Sequence, residues 1–139
     1  MSLDKDTYDS LLDVVRRFVD EDLIPSEREV AANDAIPDRI VGQMRDLGLF
    51  GLSIPTEYGG IGLEVAEEVG VMLELGRASP AFRSLIATNV GIGSQGIVID
   101  GTAAQKALYL PRIADGSLIG SFALTEPETG SDAGSVRTN

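Results

Sequence analysis

The sequence predicts a mainly α-helical bundle that runs into the start of a β-rich domain. Apolar residues recur with helical spacing in several segments between residues 4 and 115, and proline or glycine residues separate those segments. The apolar run over residues 118–124 is instead typical of a buried strand, which Pro127 would end because it lacks a backbone N–H. We therefore expect a helical domain over residues 1–115 and the incomplete beginning of a second domain over residues 116–139.

Composition excludes several classes of function. The 139 residues are 43% hydrophobic, which suffices for one domain with its own core. The chain contains neither cysteine nor histidine, so the usual zinc ligands are missing and no metal site is expected. A net charge of −11 argues against nucleic acid or an anionic membrane as a partner. Because no long apolar stretch and no signal-peptide pattern is present, we expect no membrane insertion and a cytoplasmic location.

The first two helices are predicted from apolar faces and their end signals. In the first, Asp4, Asp6 and Thr7 offer caps and acidic charge for the N-terminus. Pro25 should kink this helix or end its first half, with a polar second half following over residues 26–32. The next helix should begin at Pro37 and stop at Gly48. The apolar face of the first helix comprises Tyr8, Leu11, Leu12, Val15, Phe18, Val19 and Leu23.

Three further helices follow by the same criteria. Residues 63–77 form the first, Ser79 and Pro80 should start the second, which runs to about Gln95, and a capping box of Thr102 with Gln105 should start the third. Residues 111–116 are expected to close this third helix. The inner face of the helix over residues 63–77 is expected to comprise Val65, Val69, Met72 and Leu73.

A polar loop with two glycines follows the predicted strand. Residues 129–135 combine these glycines with Thr, Ser and Asp, so the backbone could approach a ligand closely while hydroxyl and N–H groups face it. From composition alone, an ordinary polar connection is the simpler interpretation.

The order of the residues resembles the flavin-binding signature of the acyl-CoA dehydrogenase family. The matching residues are Phe122-Ala123-Leu124-Thr125-Glu126-Pro127 and, after two variable residues, Gly130-Ser131-Asp132-Ala133. Glu128 and Thr129 stand where family members often carry smaller residues. Residues 47–63 and 101–116 resemble the same family, so the resemblance covers nearly all of the chain.

The resemblance implies a reaction and a larger protein. Family members use FAD to oxidise an acyl-CoA thioester to the trans-2-enoyl-CoA in fatty-acid or amino-acid breakdown, and an electron-transfer flavoprotein accepts the electrons. Their N-terminal helical domain is followed by a middle β-barrel and a C-terminal helical bundle that carries the glutamate base. We therefore expect this chain to end just inside the barrel, to contain no catalytic residue and to be inactive alone, and we expect a homodimer or homotetramer for the full-length protein.

The resemblance also assigns site residues. Backbone groups of residues 122–124 and the Thr125 hydroxyl should bind the pyrimidine edge of the flavin, and Ser131 should lie where cofactor and thioester meet. In the family, the helix that starts at Ser79 and Pro80 lines the cavity for the acyl chain, although plain core packing explains its apolar residues equally well. The expected cofactor-binding residues are Phe122, Ala123, Leu124, Thr125, Gly130 and Ser131, and the expected substrate-binding residues are Ser131, Leu85 and Asn89.

Several alternatives stay open from the sequence. Arg83 resembles an arginine that binds a distal substrate carboxylate in glutaryl-CoA dehydrogenases, but a surface arginine is the simpler interpretation. Glu126 is expected to shape the turn before Pro127 rather than to act as a base. An acyl-CoA oxidase, a flavin monooxygenase of the same fold or a non-catalytic helical interaction module are the alternative functions.

Overall fold

The protein is built mainly from α-helices, as the sequence predicts. The computed structural model describes residues 3–138, and no β-strand forms within them. The helices are α1 (Lys5–Phe18), α2 (Ile24–Asn33), α3 (Asp38–Asp46), α4 (Val65–Leu75), α5 (Pro80–Thr88), α6 (Gln95–Asp100) and α7 (Ala103–Ala114).

Two π-helical turns interrupt longer helical rods. The first, Val19–Leu23, joins α1 to α2, and the second, Asn89–Gly93, lies between α5 and α6. Helix α2 begins directly after the first π turn, and Pro25 is its second residue, so the interruption predicted at this proline takes the form of a widened turn. Short 3₁₀ turns occur at Leu49–Gly51, Thr56–Tyr58 and Ala133–Ser135.

The helix ends follow the local signals of the sequence. Asp4 caps α1, because its carboxylate accepts a hydrogen bond of 2.9 Å from the Thr7 N–H. Thr102 and Gln105 form the predicted capping box at the start of α7, with hydrogen bonds of 3.3 and 2.8 Å. Gly48 lies just beyond α3 with φ of 69°, the left-handed conformation that often ends a helix and that glycine adopts without strain.

Most of the core lies among α1, α3, α4, α5 and the loop after α3. Phe50 and Phe82 are its largest fully buried side chains. A smaller apolar cluster lies under α7 and includes Ile54, Leu110 and Ile113, with Leu118 packed against it. The main cluster comprises Val15, Phe18, Val19, Leu23, Val30, Ile40, Met44, Leu49, Phe50, Leu52, Leu63, Val71, Leu75, Ala78, Phe82, Ile86 and Val90.

The inner face predicted for α4 is wrong at three positions. Val65, Val69 and Leu73 are 79%, 50% and 70% exposed, whereas Val71 and Leu75 are fully buried. The helix is apolar on several sides, so its periodicity does not select one face. Packing against α1 sets the orientation instead, because Gly70 lies so close to α1 that a Cβ would fall 1.9 Å from the Tyr8 hydroxyl. On the same side of α4, Glu74 pairs with Arg16 at 2.8 Å, and Glu67 accepts the N–H of Leu3, just before α1, at 2.8 Å.

Helix α7 passes through Pro111 and ends at Ala114, within the residues 111–116 that were expected to close it. Pro111 is tolerated because it removes only one donor while Ile113 and Ala114 become buried. Another expectation needs correction. The strand expected over residues 118–124 does not form within the described residues 3–138. A strand requires hydrogen bonds to a neighbouring strand, and this part of the chain supplies no such neighbour.

Two glycine substitutions test the packing of the loop after α3. A Cβ on Gly60 would lie 2.0 Å from the Ile54 carbonyl oxygen and 2.7 Å from that of Gly51, and backbone atoms cannot move aside easily. We expect Gly60→Ala to lower the free energy of unfolding by about 2–3 kcal/mol. The matched control is Gly42→Ala in α3, where a Cβ meets nothing within 4 Å and should raise that free energy by up to about 1 kcal/mol.

Urea unfolding followed by circular dichroism measures both free energies. Equal effects of the two alanines would contradict the packing described for Gly60.

Candidate functional site

A tight turn after α7 directs the chain out of the helical bundle. Gly116 adopts φ of 72°, and a Cβ at this position would lie 2.6 Å from a ring carbon of Phe50. Arg45 Nε donates a hydrogen bond of 3.1 Å to the Gly116 carbonyl. The Asp115 carboxylate accepts the Ser117 N–H at 2.7 Å, and hydrogen bonds from Ser117 lower the pKa of Asp115. The turn is therefore fixed to both α3 and the core.

A fully buried asparagine connects the two flanks of this turn. Asn89 Nδ2 donates a hydrogen bond of 3.1 Å to the Ile113 carbonyl, before the turn. Asn89 Oδ1 accepts a hydrogen bond of 2.6 Å from the Gly120 N–H, after the turn. A Cβ on Gly120 would lie 2.8 Å from Gly93 Cα, so the two glycine backbones are in direct contact.

Residues 121–125, which contain the first part of the predicted flavin-binding signature, are exposed. Phe122 is 61% exposed and Leu124 is 37% exposed, and Ala123 and Thr125 are also at the surface. Within the described residues 3–138, no hydrogen bond engages the backbone N–H or carbonyl groups of residues 121–125. The segment therefore presents apolar side chains together with free backbone donors and acceptors.

A two-residue turn brings the two halves of the signature together. Glu126 and Thr129 exchange both backbone hydrogen bonds, at 2.9 and 3.1 Å, and form an antiparallel bridge. Pro127 occupies the first of the two turn positions, which suits its fixed φ. Because Thr125 and Gly130 are the next residues outward from the bridge, they lie on either side of the same turn.

The Glu126 carboxylate holds the end of the described chain. It accepts hydrogen bonds from the Arg137 N–H at 3.0 Å and from the Thr138 N–H at 2.8 Å, and it also accepts one from the Thr138 hydroxyl. The Thr138 hydroxyl, followed by the two N–H groups, lowers the pKa of Glu126. This geometry agrees with the turn-shaping role expected for Glu126 and not with that of a general base, which needs a raised pKa.

The polar loop folds back on itself beyond the bridge. Thr129 is buried and its hydroxyl donates a hydrogen bond of 3.4 Å to the Ser135 carbonyl. The Ser135 N–H donates in turn to the Asp132 carbonyl at 3.0 Å. Gly130 and Ser131 are exposed. The two predicted cofactor-binding residues of this loop, Gly130 and Ser131, are therefore accessible.

The remaining candidates lie on α5 and in the π turn after it, away from this loop in sequence. Leu85 is half-buried against the main core, and Asn89 is enclosed as described. Arg83 is exposed and lines, together with Arg77, a groove of about 390 Å³, which fits a surface arginine. Among residues 3–138, no hydrogen bond or ion pair joins Arg83 to a polar partner. Residues 3–138 contain no cluster of three or more metal-ligating side chains.

Comparison with known proteins identifies the family. The sequence profile described as "Acyl-CoA dehydrogenase, N-terminal domain" matches residues 5–117. The chain belongs to the acyl-CoA dehydrogenase family. It is 43% identical over 127 residues to the (2S)-methylsuccinyl-CoA dehydrogenase of Cereibacter sphaeroides, covering 91% of this chain and 23% of that protein.

Two solved structures share the fold of this acyl-CoA dehydrogenase domain. One is the acyl-CoA dehydrogenase of Bacillus anthracis complexed with FAD, with a TM-score of 0.83, 32% identity and coverage of 96% of this chain and 23% of that chain. The other belongs to a study of the electron transferring flavoprotein of Acidaminococcus fermentans, with a TM-score of 0.84, 30% identity and coverage of 97% and 35%. The chain spans only 33% and 23% of two curated relatives.

One further finding concerns membranes: among residues 3–138, no helix is both long and apolar enough to cross a bilayer.

Sequence reasoning missed the structural role of Asn89. A polar residue on the apolar face of a helix, close to glycines at positions 91 and 93, was the available signal. Its partners lie 24 and 31 residues away, so local patterns do not reveal them.

The Glu126 contacts predict a response to substitution and to pH. We expect Glu126→Gln to speed amide exchange of Arg137 and Thr138 several-fold, because the amide replaces a charged acceptor with a weaker one. Since the pKa of Glu126 is lowered in the folded protein, this order should be intact above the usual carboxyl range and lost as pH falls through the lowered value. Hydrogen–deuterium exchange of the backbone amides measures both effects, once the measured rates are corrected for the pH dependence of intrinsic exchange.

The matched control is Glu128→Gln in the exposed part of the same turn. It should leave the exchange of Arg137 and Thr138 unchanged, and an equal effect of the two variants would contradict the role of the Glu126 carboxylate.

Proposed function

We propose that this chain is the N-terminal part of a FAD-dependent acyl-CoA dehydrogenase that converts an acyl-CoA thioester to the trans-2-enoyl-CoA. The observation that carries the proposal is the ordered signature over residues 122–133, which the structure displays on an exposed segment directly after a family-type helical domain. Membership of the family supports acyl-CoA dehydrogenation in general.

The residues at the exit from the bundle fit a flavin. Free backbone N–H groups over residues 121–125 suit the carbonyl and nitrogen acceptors of the pyrimidine edge, and Phe122 and Leu124 offer apolar contact to a flat ring. Thr125 would add a hydroxyl, and Gly130 and Ser131 would border the ring from the other side of the turn. When bound, FAD supplies the hydride acceptor. The chain's own donors would favour negative charge at the ring edge.

The substrate would meet the chain at two places. Ser131 is exposed next to the proposed cofactor residues, so its hydroxyl can reach the region where the thioester enters. Leu85 is half-buried on α5 and can contribute an apolar wall for the acyl chain. The Asn89 side chain is fully buried with both ends bonded to backbone, so we propose that it contributes to the substrate site through the shape of the π turn.

The proposal includes the organisation of a longer protein. Residues 1–115 would form the N-terminal helical domain, and residues 116–139 would begin the middle β-domain, whose further strands pair with residues 118–124. The coverage of curated relatives, at 33% and 23%, supports this view. The catalytic glutamate would lie outside this chain, and for that reason we expect the 139 residues alone to be inactive.

The same proposal covers partners and location. We propose an electron-transfer flavoprotein as the next electron acceptor, supported by the structural likeness to a chain from the flavoprotein study of Acidaminococcus fermentans. We also propose a cytoplasmic homodimer or homotetramer that takes part in fatty-acid or amino-acid breakdown. The non-catalytic interaction module is not favoured, because the signature residues are intact and exposed.

Substitution of Thr125 tests the cofactor site in the full-length protein. We expect Thr125→Ala to weaken FAD binding by about 1–3 kcal/mol or to shift the flavin potential, because a hydrogen bond to a group that becomes charged is lost. Thr56→Ala, at an exposed threonine of a 3₁₀ turn, is the matched control and should change neither quantity. Titration with FAD and redox potentiometry provide the measurements.

Two outcomes would count against the proposal. A purified full-length protein without flavin absorbance that also fails to bind added FAD would refute the function. A flavoprotein in which Thr125→Ala changes neither affinity nor potential would remove Thr125 from the site.

A further inference from the structure

We propose that Asn89 positions the flavin-binding segment on the helical bundle, and that Gly93 and Gly120 provide the close backbone contact on which this positioning depends. The ligand named here rests on the proposed function, whereas the contacts do not.

Asn89 makes two hydrogen bonds that connect the end of α7 to the exposed segment. Its amide nitrogen donates to the Ile113 carbonyl at the end of α7, at 3.1 Å, and its amide oxygen accepts the Gly120 N–H at 2.6 Å. One planar group thus fixes the distance between the end of a helix and the start of the exposed segment. Only an amide supplies a donor and an acceptor at these two places, since a carboxylate lacks the donor and an aliphatic side chain lacks both.

The backbones of Gly93 and Gly120 are in direct contact. A Cβ on Gly120 would lie 2.8 Å from Gly93 Cα, and a Cβ on Gly93 would lie 3.1 Å from Gly120 Cα. The nearest atoms are backbone, so a side chain on either residue would push the exposed segment away from the bundle. The hydrogen bond from Gly120 to Asn89 requires this close approach.

Hydrogen bonds hold the π turn that carries Asn89 and Gly93. Ser94 is fully buried and its hydroxyl donates a hydrogen bond of 2.5 Å to the Val90 carbonyl. Gln95 Nε2 donates to Ser53 Oγ at 2.9 Å and links the next residues to the loop after α3. Single π turns inside helices often occur at functional sites, because they shift a side chain that a regular helix would place elsewhere.

Gly120 lies where the chain leaves the helical bundle. Leu118 is still held, because its N–H donates to the Arg112 carbonyl at 2.8 Å. From residue 121 to residue 125, no hydrogen bond to the rest of residues 3–138 is formed, and the next one is at Glu126. Gly120 is therefore the last hydrogen-bonded anchor before the proposed flavin-binding residues. A displacement of Gly120 passes directly to Phe122, two residues away.

The test compares Asn89→Leu with a matched control in the full-length protein purified with FAD. Leucine has a similar volume and supplies neither hydrogen bond. The control, Ser26→Ala, removes the equivalent buried hydrogen bond after the first π turn, to the Asp22 carbonyl at 2.6 Å, and leaves the π turn of Asn89 intact. Amide exchange over residues 118–125, the dissociation constant of FAD and the visible circular dichroism of the bound flavin are measured for each protein.

The expected result is specific to Asn89. In Asn89→Leu, exchange over residues 118–125 and the FAD dissociation constant should each rise about 10- to 100-fold, as for the loss of buried hydrogen bonds, and the flavin dichroism should change. Ser26→Ala should leave all three quantities unchanged even if it lowers the unfolding temperature. Asn89→Asp retains the acceptor for Gly120, so it should show a smaller effect than leucine, and it supplies the comparison if the leucine variant does not fold.

Three outcomes would overturn the inference, and they are distinguishable. If the parent protein binds FAD and the Asn89 variants bind it equally well with an unchanged flavin spectrum, the positioning role is wrong while the proposed function stands. If Ser26→Ala has the same effects as the Asn89 variants, Asn89 contributes only general stability. If the parent protein does not bind FAD at all, the proposed function and this role both fail.

Discussion

The direct contact between the backbones of Gly93 and Gly120 is the constraint on which the candidate site depends. No side-chain carbon fits between them, and the buried amide of Asn89 satisfies the Gly120 N–H beside this contact. A buried polar group without a partner costs about 1–3 kcal/mol, so separation of the two backbones would leave Asn89 unsatisfied and is disfavoured. The exposed residues 121–125 therefore leave the bundle at a defined place, although they make no hydrogen bond of their own to it.

The rest of the structure supports this contact from two sides. The small apolar cluster of Ile54, Leu110 and Ile113 holds the end of α7, and Gly116 turns the chain against Phe50. The main cluster holds α5 and the π turn through Phe82, Ile86 and Val90. A rigid scaffold that carries an exposed segment with free backbone groups is the usual arrangement for a binding loop. We propose that the helical bundle serves as a support for the flavin-binding segment and as one wall of the substrate site.

Sequence reasoning succeeded where the physical cause was local. The caps at Ser79 and Thr102 and the helix stop at Gly48 each depend on a few neighbouring residues, and each was predicted correctly. The cap of α1 is Asp4, one of three candidates offered by the sequence. Sequence reasoning failed where partners distant in sequence decide the result. The buried face of α4 is set by its packing against α1, and a strand over residues 118–124 needs a partner that residues 3–138 do not contain. The predicted flavin residues are exposed as a binding site requires, but the anchor that positions them was not foreseen, because the partners of Asn89 are 24 and 31 residues away.

The most direct test of this account is a proton–proton distance across the glycine contact. In the NMR spectrum of the 139-residue chain, nuclear Overhauser effects between the Hα protons of Gly93 and Gly120 are expected, because a Cβ built on either residue falls about 3 Å from the Cα of the other. The Gly120 amide should also be protected from exchange by its hydrogen bond to Asn89. Well-formed helices α5 and α7 without these Overhauser effects, and with rapid exchange at Gly120, would contradict the claim that the bundle positions the cofactor segment.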